Sequence, residues 1–361
     1  MMTPTPPAAM NAAATLALTP AGLYCAAGDF YVDPWQPVSR AVITHAHGDH
    51  ARRGNEHYLA TDVSAGVLRS RLGDIDLQTL PYGQRLRIGA AEVSLHPAGH
   101  VLGSAQVRIE VAGHVTVVSG DYKVQPDPTC APFEVIPADV FVTESTFGLP
   151  IYRWRDEQAV LEDINAWWRA NAELGRASLL YAYAFGKAQR ILAGLDPGIG
   201  PIVCHGAVES LNRAYREAGV LLPATHHAAD VDKAGLRRAL VLAPPSAQGS
   251  TWTRRFGEHA DAFASGWMQI RGTRRRKGLD RGFVLSDHAD WPGLLVTIAA
   301  TGAEQIYVTH GYVDPLVRWL REAGYRAERF ETPFGEEDEA AAPPAEPTAT
   351  AAPEGGAEPA P

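Results

Sequence analysis

The feature that most constrains this chain is a group of four residues with metal-ligand side chains within six positions. The sequence HAHGDH supplies His45, His47, Asp49 and His50, directly after the apolar run 41–44. That run is rich in β-branched residues and predicts a strand. Imidazoles and a carboxylate at alternating positions where a strand ends can point into two adjacent coordination spheres. This donor mix suits Zn²⁺, with Mn²⁺ and Fe²⁺ as alternatives, so the segment predicts a metal site.

Three more residues of ligand type lie at the ends of apolar runs, or just past them. His100 stands in PAGHVLGSA, Asp121 ends VVSGD, and His310 ends IYVTH. A single histidine of this kind is as often a hydrogen-bonded core residue as a ligand. The repeated placement instead indicates side chains gathered on one rim of a β-sandwich.

The pattern along the chain divides it into segments of different character. Short β-branched runs between about 21 and 138 predict strands, and apolar positions at helical spacing predict a helix over 156–175. Strand and helix signals then alternate, which is typical of an open α/β sheet, and strand signals return after about 282. The predicted organisation is a disordered segment 1–20, a main domain in two parts at 21–148 and 281–335, a smaller α/β insert at 149–280, and a disordered acidic tail at 336–361.

The formal charge of −9 does not exclude a polyanionic partner. Seven acidic residues and no Lys or Arg fall in 336–361, so the charge without that tail is −2. A body so close to neutrality can still carry a basic face. The three cysteines form no CxxC pair, and we expect reduced thiols. With no basic leader and no apolar run of membrane-spanning length, we expect a cytoplasmic protein without a membrane partner.

These motifs resemble the metallo-β-lactamase superfamily and, within it, the β-CASP nucleases. HAHGDH is similar to the superfamily signature, and PAGHVLGSA, SGDY and THG resemble its later ligand motifs. TESTFG and SDHAD resemble two further β-CASP motifs, and FYVDPW and TESTFGLPIYRW look most like bacterial exonucleases associated with DNA ligases. The resemblance implies an α/β fold, an αββα sandwich with an inserted smaller β-CASP-like α/β domain.

The resemblance also implies two divalent metal ions, zinc with manganese as an alternative, and a carboxylate between them. The first ion would be held by His45, His47 and His100, the second by Asp49, His50 and His310, and Asp121 would bridge the two. An aspartate outside the ligand set would support the ligands. Asp33 is the best match for it and Asp29 is its rival.

The implied activity is a two-metal phosphodiesterase acting on nucleic acid. Asp49 and Asp121 would serve catalysis through the metals, His288 would be the general acid, and Glu144 would orient it. We expect a DNA exonuclease that trims ends in DNA repair, in functional association with a DNA ligase. The alternatives are a β-CASP-type RNase, a thioester or lactam metallohydrolase, and a non-catalytic nucleic-acid-binding scaffold.

Two basic segments are candidates for substrate binding. Lys187 and Arg190 open a predicted helix after an apolar strand, where helix N-termini attract phosphate. Arg274, Arg275 and Arg276 belong to a basic run before the His288 segment. Such a run is more often a solvated surface, but beside a phosphodiesterase site it favours contact with a phosphate backbone.

Overall fold

The computed structural model describes residues 15–270 and 280–330. That part of the chain is a mixed α/β protein with three sheets. The strands of the first sheet, in spatial order, are β1 (Ala17–Thr19), β2 (Gly22–Cys25), β3 (Phe30–Val32), β4 (Arg40–Val42), β5 (His57–Thr61) and β6 (Leu77–Leu80). Because β1 pairs with β2, the predicted disordered segment 1–20 is wrong for 17–19. Residues 1–14 and the predicted tail 336–361 lie outside the described residues.

The second sheet carries the strands that the sequence predicted around 93–118. Its strands, in spatial order, are β7 (Arg85–Ile88), β8 (Ala91–Pro97), β9 (Ala105–Val111), β10 (His114–Val118), β11 (Val140–Ser145), β17 (Gln305–Gly311) and β18 (Arg326–Arg329). Strands β9 and β10 form a hairpin through Ala112 and Gly113, both with positive φ (51° and 81°). Two positive φ values fit the type I′ geometry that matches strand twist.

The first two sheets pack face to face and share one apolar core. Val32 and Val42 of the first sheet lie in the same buried cluster as Val93 and Val107 of the second. Helix α1 (Ala65–Leu72) packs on the outer face of the first sheet. Helices α6 (Trp291–Thr301) and α7 (Val313–Glu322) pack on the outer face of the second. The body therefore has four layers: helix, sheet, sheet and helices.

The third sheet contains only parallel strands. In spatial order they are β13 (Ile202–Cys204), β14 (Leu240–Ala243), β12 (Ala177–Tyr181), β15 (His259–Ala264) and β16 (Arg281–Phe283). Parallel neighbours require crossover connections. Helices occur in several of these connections and before the sheet: α2 (Glu157–Glu173), α3 (Lys187–Ala193), α4 (Gly206–Glu217) and α5 (Lys233–Leu236). The sheet extends one strand past the predicted boundary at 280.

Helix α2 confirms the helix predicted over 156–175. Its N-cap is Asp156, whose carboxylate accepts a hydrogen bond from the backbone N–H of Ala159. Val160, Ile164 and Trp168 repeat at helical spacing and are buried against the third sheet. Capping and spacing act locally, which is why the sequence alone predicted this element. Within the described ranges, none of the helices combines the length and apolar character of a membrane span.

Candidate metal centre

Four separate strands deliver the predicted ligand residues to one edge of the two packed sheets. The HAHGDH loop follows β4, Asp121 follows β10, and His310 lies near the end of β17. His100 lies in the loop between β8 and β9. Strands β10 and β11 are parallel, as are β11 and β17, so their carboxyl ends meet at the same edge. This topology brings together residues up to 265 positions apart, from His45 to His310.

Two groups of ligand atoms result, and each lies within 4.8 Å of the other members of its group. We define the first ligand cluster as His45, His47 and His100 with Asp121, and the second ligand cluster as Asp49, His50 and His310. Asp121 Oδ2 lies 3.4 Å from His45 Nε2, 3.7 Å from His100 Nε2 and 3.5 Å from His50 Nε2. The Asp121 carboxylate therefore stands between imidazoles of both clusters.

The first ligand cluster has the spacing of a closed coordination sphere. His47 Nδ1 lies 3.0 Å from His45 Nε2 and 3.0 Å from His100 Nε2. Around a tetrahedral zinc ion with bonds of about 2.0–2.1 Å, neighbouring donor atoms are roughly 3.3 Å apart. Three imidazole nitrogens and a carboxylate oxygen at these separations fit one divalent cation.

The second ligand cluster contains a buried ring nitrogen that faces two carboxylates. Within the described part of the chain, buried His50 Nε2 has Asp121 Oδ2 at 3.5 Å but no hydrogen bond of good geometry. It also lies 3.7 Å from Asp49 Oδ2, and the His50 ring stacks on that of His310 with 5.2 Å between centroids. A buried imidazole nitrogen without a hydrogen bond, between carboxylates, is suited to binding an ion. The donors of this cluster also fit a divalent cation.

Asp33, rather than its rival Asp29, contacts the ligands. His50 Nδ1 donates to Asp33 Oδ2 over 2.7 Å, which leaves Nε2 as the ligand atom. The backbone N–H and hydroxyl of Thr44 also donate to Asp33, over 2.8 and 2.5 Å. Asp29 instead accepts from the hydroxyl of Tyr24 on the exposed side of the sheet.

Four of the five ligand imidazoles are in the protonation state that metal binding requires. Burial lowers the pKa of four ligand imidazoles, so they are neutral near pH 7 as ligation requires: His45, His47, His100 and His310. Burial also opposes protonation of His50, but Asp121, Asp49 and Asp33 outweigh it and raise its pKa well above the usual value. Burial raises the pKa of Asp121, yet His50 and His288 reverse this and hold it well below its usual range. A proton on His50 thus balances carboxylates that a divalent cation would otherwise neutralise.

Glu144 and His288 form a buried pair beside the ligands. His288 Nδ1 donates to Glu144 Oε2 over 2.8 Å, and Glu144 Oε1 accepts from the backbone N–H of Tyr122 over 2.7 Å. The His288 ring also lies 4.6 Å from that of His100, centroid to centroid. Burial raises the pKa of Glu144, and the neighbouring His288 opposes that rise. The Glu144 carboxylate therefore holds the His288 ring at Nδ1 and sets its tautomer.

The structure argues against substrate binding by Lys187 and Arg190. Both side chains are buried, and each is paired with an acid: Lys187 Nζ lies 2.8 Å from Asp287 Oδ1, and Arg190 Nε donates to Asp127 over 2.6 Å. A buried cation in an ion pair does not face a solvated polyanion, so this prediction is corrected. Arg274, Arg275 and Arg276 lie outside the described residues.

Two kinds of site residue were missed at the sequence level. The carbonyl oxygens of Phe185 and Asp287 accept hydrogen bonds from His47 Nε2 and His100 Nδ1, over 3.3 and 2.7 Å. Backbone acceptors leave no side-chain signature. Arg71 donates a hydrogen bond to the carbonyl of Ala46 in the HAHGDH loop and interacts electrostatically with the half-buried Asp49. The RSR sequence at 69–71 in helix α1 was the available signal.

No family model matches this chain. A probable DNA ligase of Opitutus terrae is 31% identical over 309 residues, which are 85% of this chain and 30% of that protein. Endoribonuclease YSH1 of Gibberella zeae is 33% identical over 125 residues, 33% of this chain and 14% of that protein. Endoribonuclease YSH1 of Eremothecium gossypii is 27% identical over 166 residues, which are 45% of this chain and 20% of that protein. The chain spans less than a third of the length of these relatives.

A solved structure has a similar fold. It is the crystal structure of a protein of unknown function from Enterococcus faecalis V583, with a TM-score of 0.57 and 13% sequence identity. The match covers 81% of this chain and 79% of that one. The likeness therefore extends over most of the chain, and at this identity it concerns the fold alone.

Proposed function

We propose that this chain is a metal-dependent phosphodiesterase acting on nucleic acid, of the metallo-β-lactamase superfamily and its β-CASP group. The observation that carries the proposal is the pair of ligand clusters that share Asp121, beside the buried Glu144–His288 pair. Two adjacent cation sites with a shared carboxylate suit in-line displacement at phosphorus. A separate acid next to them suits protonation of the leaving oxygen.

We propose the corresponding division of the chain. The four-layer body would be the metallo-β-lactamase sandwich, in two parts at 21–148 and 281–335. The third sheet would be the β-CASP-like insert, 149–280, extended to include β16. The similarity to the Enterococcus structure over most of the chain supports a single shared fold, and the names of the relatives support the nuclease assignment.

The reaction chemistry follows from the residues present. Bound divalent cations would supply Lewis-acid polarisation of the phosphate and activation of a water. The imidazoles and carboxylates of the two ligand clusters would hold the cations, and Asp121 belongs to the donors of both. Protonated His288 donates its proton to the leaving oxygen, and Glu144 keeps the ring oriented and favours the charged form. Arg71, beside Asp49 on the exposed edge of the HAHGDH loop, is placed to contact a phosphate of the strand.

We propose DNA as the substrate and an exonuclease that trims ends for a DNA ligase. A relative whose match spans 85% of this chain is named a probable DNA ligase, and the match covers 30% of that relative. RNA is the second candidate, because the relatives named endoribonuclease match a third to nearly half of the chain. A thioester or lactam hydrolase would have little use for the Glu144–His288 pair. We also propose a cytoplasmic location, in keeping with three free cysteines.

The test compares wild-type protein with Asp121→Ala and His288→Ala. Each is incubated with 5′- and 3′-labelled single- and double-stranded DNA and matched RNA, in Zn²⁺ and in Mn²⁺. Stepwise shortening of DNA that Asp121→Ala abolishes is the expected result, and the labels give the polarity. Cleavage of RNA alone would move the proposal to RNA processing. If the protein cleaves neither DNA nor RNA but hydrolyses a thioester or a lactam, the proposed nuclease function is overturned.

A further inference from the structure

The supports of the two ligand clusters come from different parts of the chain except at Thr44, whose hydroxyl oxygen also lies 3.0 Å from His45 Nδ1 of the first ligand cluster. In the second ligand cluster, His50 is oriented by Asp33, and Asp33 by Thr44, all within the first sheet and its loops. In the first ligand cluster, His47 and His100 are oriented by the carbonyl oxygens of Phe185 and Asp287. Both carbonyls lie where the segment around helix α3 meets the 286–288 loop.

Lys187 fixes one of these carbonyls through an ion pair. Its Nζ lies 2.8 Å from Asp287 Oδ1, with both side chains 3% exposed, so neither group has water as an alternative partner. Asp287 then presents its own carbonyl to His100. Burial raises the pKa of Asp287, but Lys187 outweighs it and holds that pKa well below its usual range.

Helix α3 approaches the 286–288 loop at several points. Gly186, with φ 83°, has no room for a side chain, because a Cβ there would lie 2.2 Å from Val101 and 3.4 Å from the Asp287 carboxylate. Arg190 Nη1 donates to the carbonyl of Ser286 over 2.7 Å. The Ser286 hydroxyl oxygen in turn accepts from the backbone N–H of His288 over 3.1 Å. Helix α3 thus contacts the backbone just before Asp287, and the Ser286 side chain links that residue to His288 just after it.

We propose that helix α3 sets the metal affinity of the first ligand cluster, with Lys187 as a positioning residue that acts on His100 through Asp287. The inference rests on the proposed metal binding and goes beyond it, because it assigns separable control of the two sites. Groups that orient a ligand imidazole affect metal affinity typically by 10- to 100-fold. Lys187 reaches His100 through Asp287, whose carbonyl contacts the first ligand cluster, so its effect should fall on that site.

The experiment titrates metal-free protein with Zn²⁺ in competition with a chromophoric chelator, and counts bound ions by native mass spectrometry. Wild-type protein should bind two ions. Lys187→Met should weaken one of them by about 10- to 100-fold and leave the other unchanged. Lys187→Gln keeps a hydrogen-bond donor for Asp287, so it should show a smaller loss of Zn²⁺ affinity. If Lys187→Met does not fold, Lys187→Gln is compared with wild-type protein instead.

The matched control is Asn171→Ala. Asn171 is also a buried polar residue of the third-sheet region, but its side chain contacts Ser178 and Arg176, away from the 286–288 loop. Asn171→Ala should lower the free energy of unfolding without changing the affinity of either site for Zn²⁺. Equal weakening of both ions by Lys187→Met, or no weakening, would overturn the inference while leaving two-metal binding intact. Wild-type protein that binds no Zn²⁺ would overturn the proposed function as well.

Discussion

The two ligand clusters share Asp121 and a similar set of donors, but they differ in how far their supports lie along the chain. His50 of the second ligand cluster rests on Asp33, 17 residues away in sequence. His47 and His100 of the first ligand cluster rest on carbonyls 138 and 187 residues away. The support of His50 can therefore form when the first sheet forms, although His310 reaches the second ligand cluster from β17 of the second sheet. The supports of His47 and His100 form only when the third-sheet region docks on the body.

The largest effect is expected for the residue common to both clusters. Asp121→Ala removes a carboxylate that lies 3.4–3.7 Å from imidazoles of each. We expect weakened Zn²⁺ binding at both sites and loss of nuclease activity, measured by metal content and by cleavage of labelled DNA. Asp74→Ala, at an exposed carboxylate, is the control. Retention of one tightly bound ion with wild-type activity would show that Asp121 is not shared.

Replacing His288 asks whether this residue belongs to the chemistry or to the first ligand cluster. His288→Ala should lower kcat by about 10²–10⁴-fold, as removal of a general acid does, with metal content unchanged. Glu144→Gln should give a smaller loss, because the imidazole remains. His288 also groups with His100 and Asp287 as a set of metal donors. A loss of one Zn²⁺ ion in His288→Ala would therefore make it a ligand instead.

Asp33→Asn perturbs the second ligand cluster as Lys187→Met perturbs the first. The amide can present its NH₂ group or a weaker acceptor to His50, so we expect about 10- to 100-fold weaker binding of one Zn²⁺ ion. Asp29→Asn, four residues earlier, is the matched control and should change neither site. Because Thr44 also contacts His45, we expect a smaller loss from Asp33→Asn at the first ligand cluster as well. In the double variant with Lys187→Met, the larger losses should fall on different ions. If Asp33→Asn weakens the first ion more than the second, Asp33 is not the support of the second ligand cluster.

Arg71→Gln probes the edge of the second ligand cluster at a residue that is not a ligand but donates to the carbonyl of Ala46 and interacts with Asp49. We expect about tenfold weaker DNA binding, from the loss of one charge-assisted contact. The slope of log affinity against log salt should fall by roughly 0.7–0.9. Affinity is measured by fluorescence anisotropy in metal-loaded protein carrying His288→Ala. Arg318→Gln, at an exposed ion pair on helix α7, serves as control. An unchanged salt slope would remove Arg71 from the proposed phosphate contact.

The smallest effect concerns Lys123, which donates to the Ser286 carbonyl next to the supports of the first ligand cluster. Burial, aided by Arg190, lowers the pKa of Lys123 from 10.5 to about 8. Between these values the unfolded chain binds more protons than the folded protein, so stability rises with pH. The free energy of unfolding of metal-free wild type, relative to Lys123→Met, should therefore increase from pH 7.5 to pH 10. A flat or falling difference would contradict this.

Local signals predicted the strands around the ligands and helix α2, because spacing and capping act within a few residues. They also predicted that ligand-type side chains follow several strands, and the structure brings all seven of the predicted metal-ligand residues to one edge. The fate of Lys187 and Arg190 could not be predicted in this way. Basic residues at the start of a helix give the same sequence pattern whether they face solvent or, as here, pair with Asp127 and Asp287.

The sequence by itself determined that HAHGDH supplies four metal donors, because their types and spacing belong to one short segment after a strand. Only the tertiary structure decided between Asp29 and Asp33. Both are aspartates with positive φ, 50° and 44°, at the two ends of strand β3. Asp29 accepts a hydrogen bond from Tyr24, and Asp33 accepts one from His50. The physical reason is that a carboxylate supports a ligand only through a contact of about 2.7–2.9 Å, and such contacts between distant segments are set by packing.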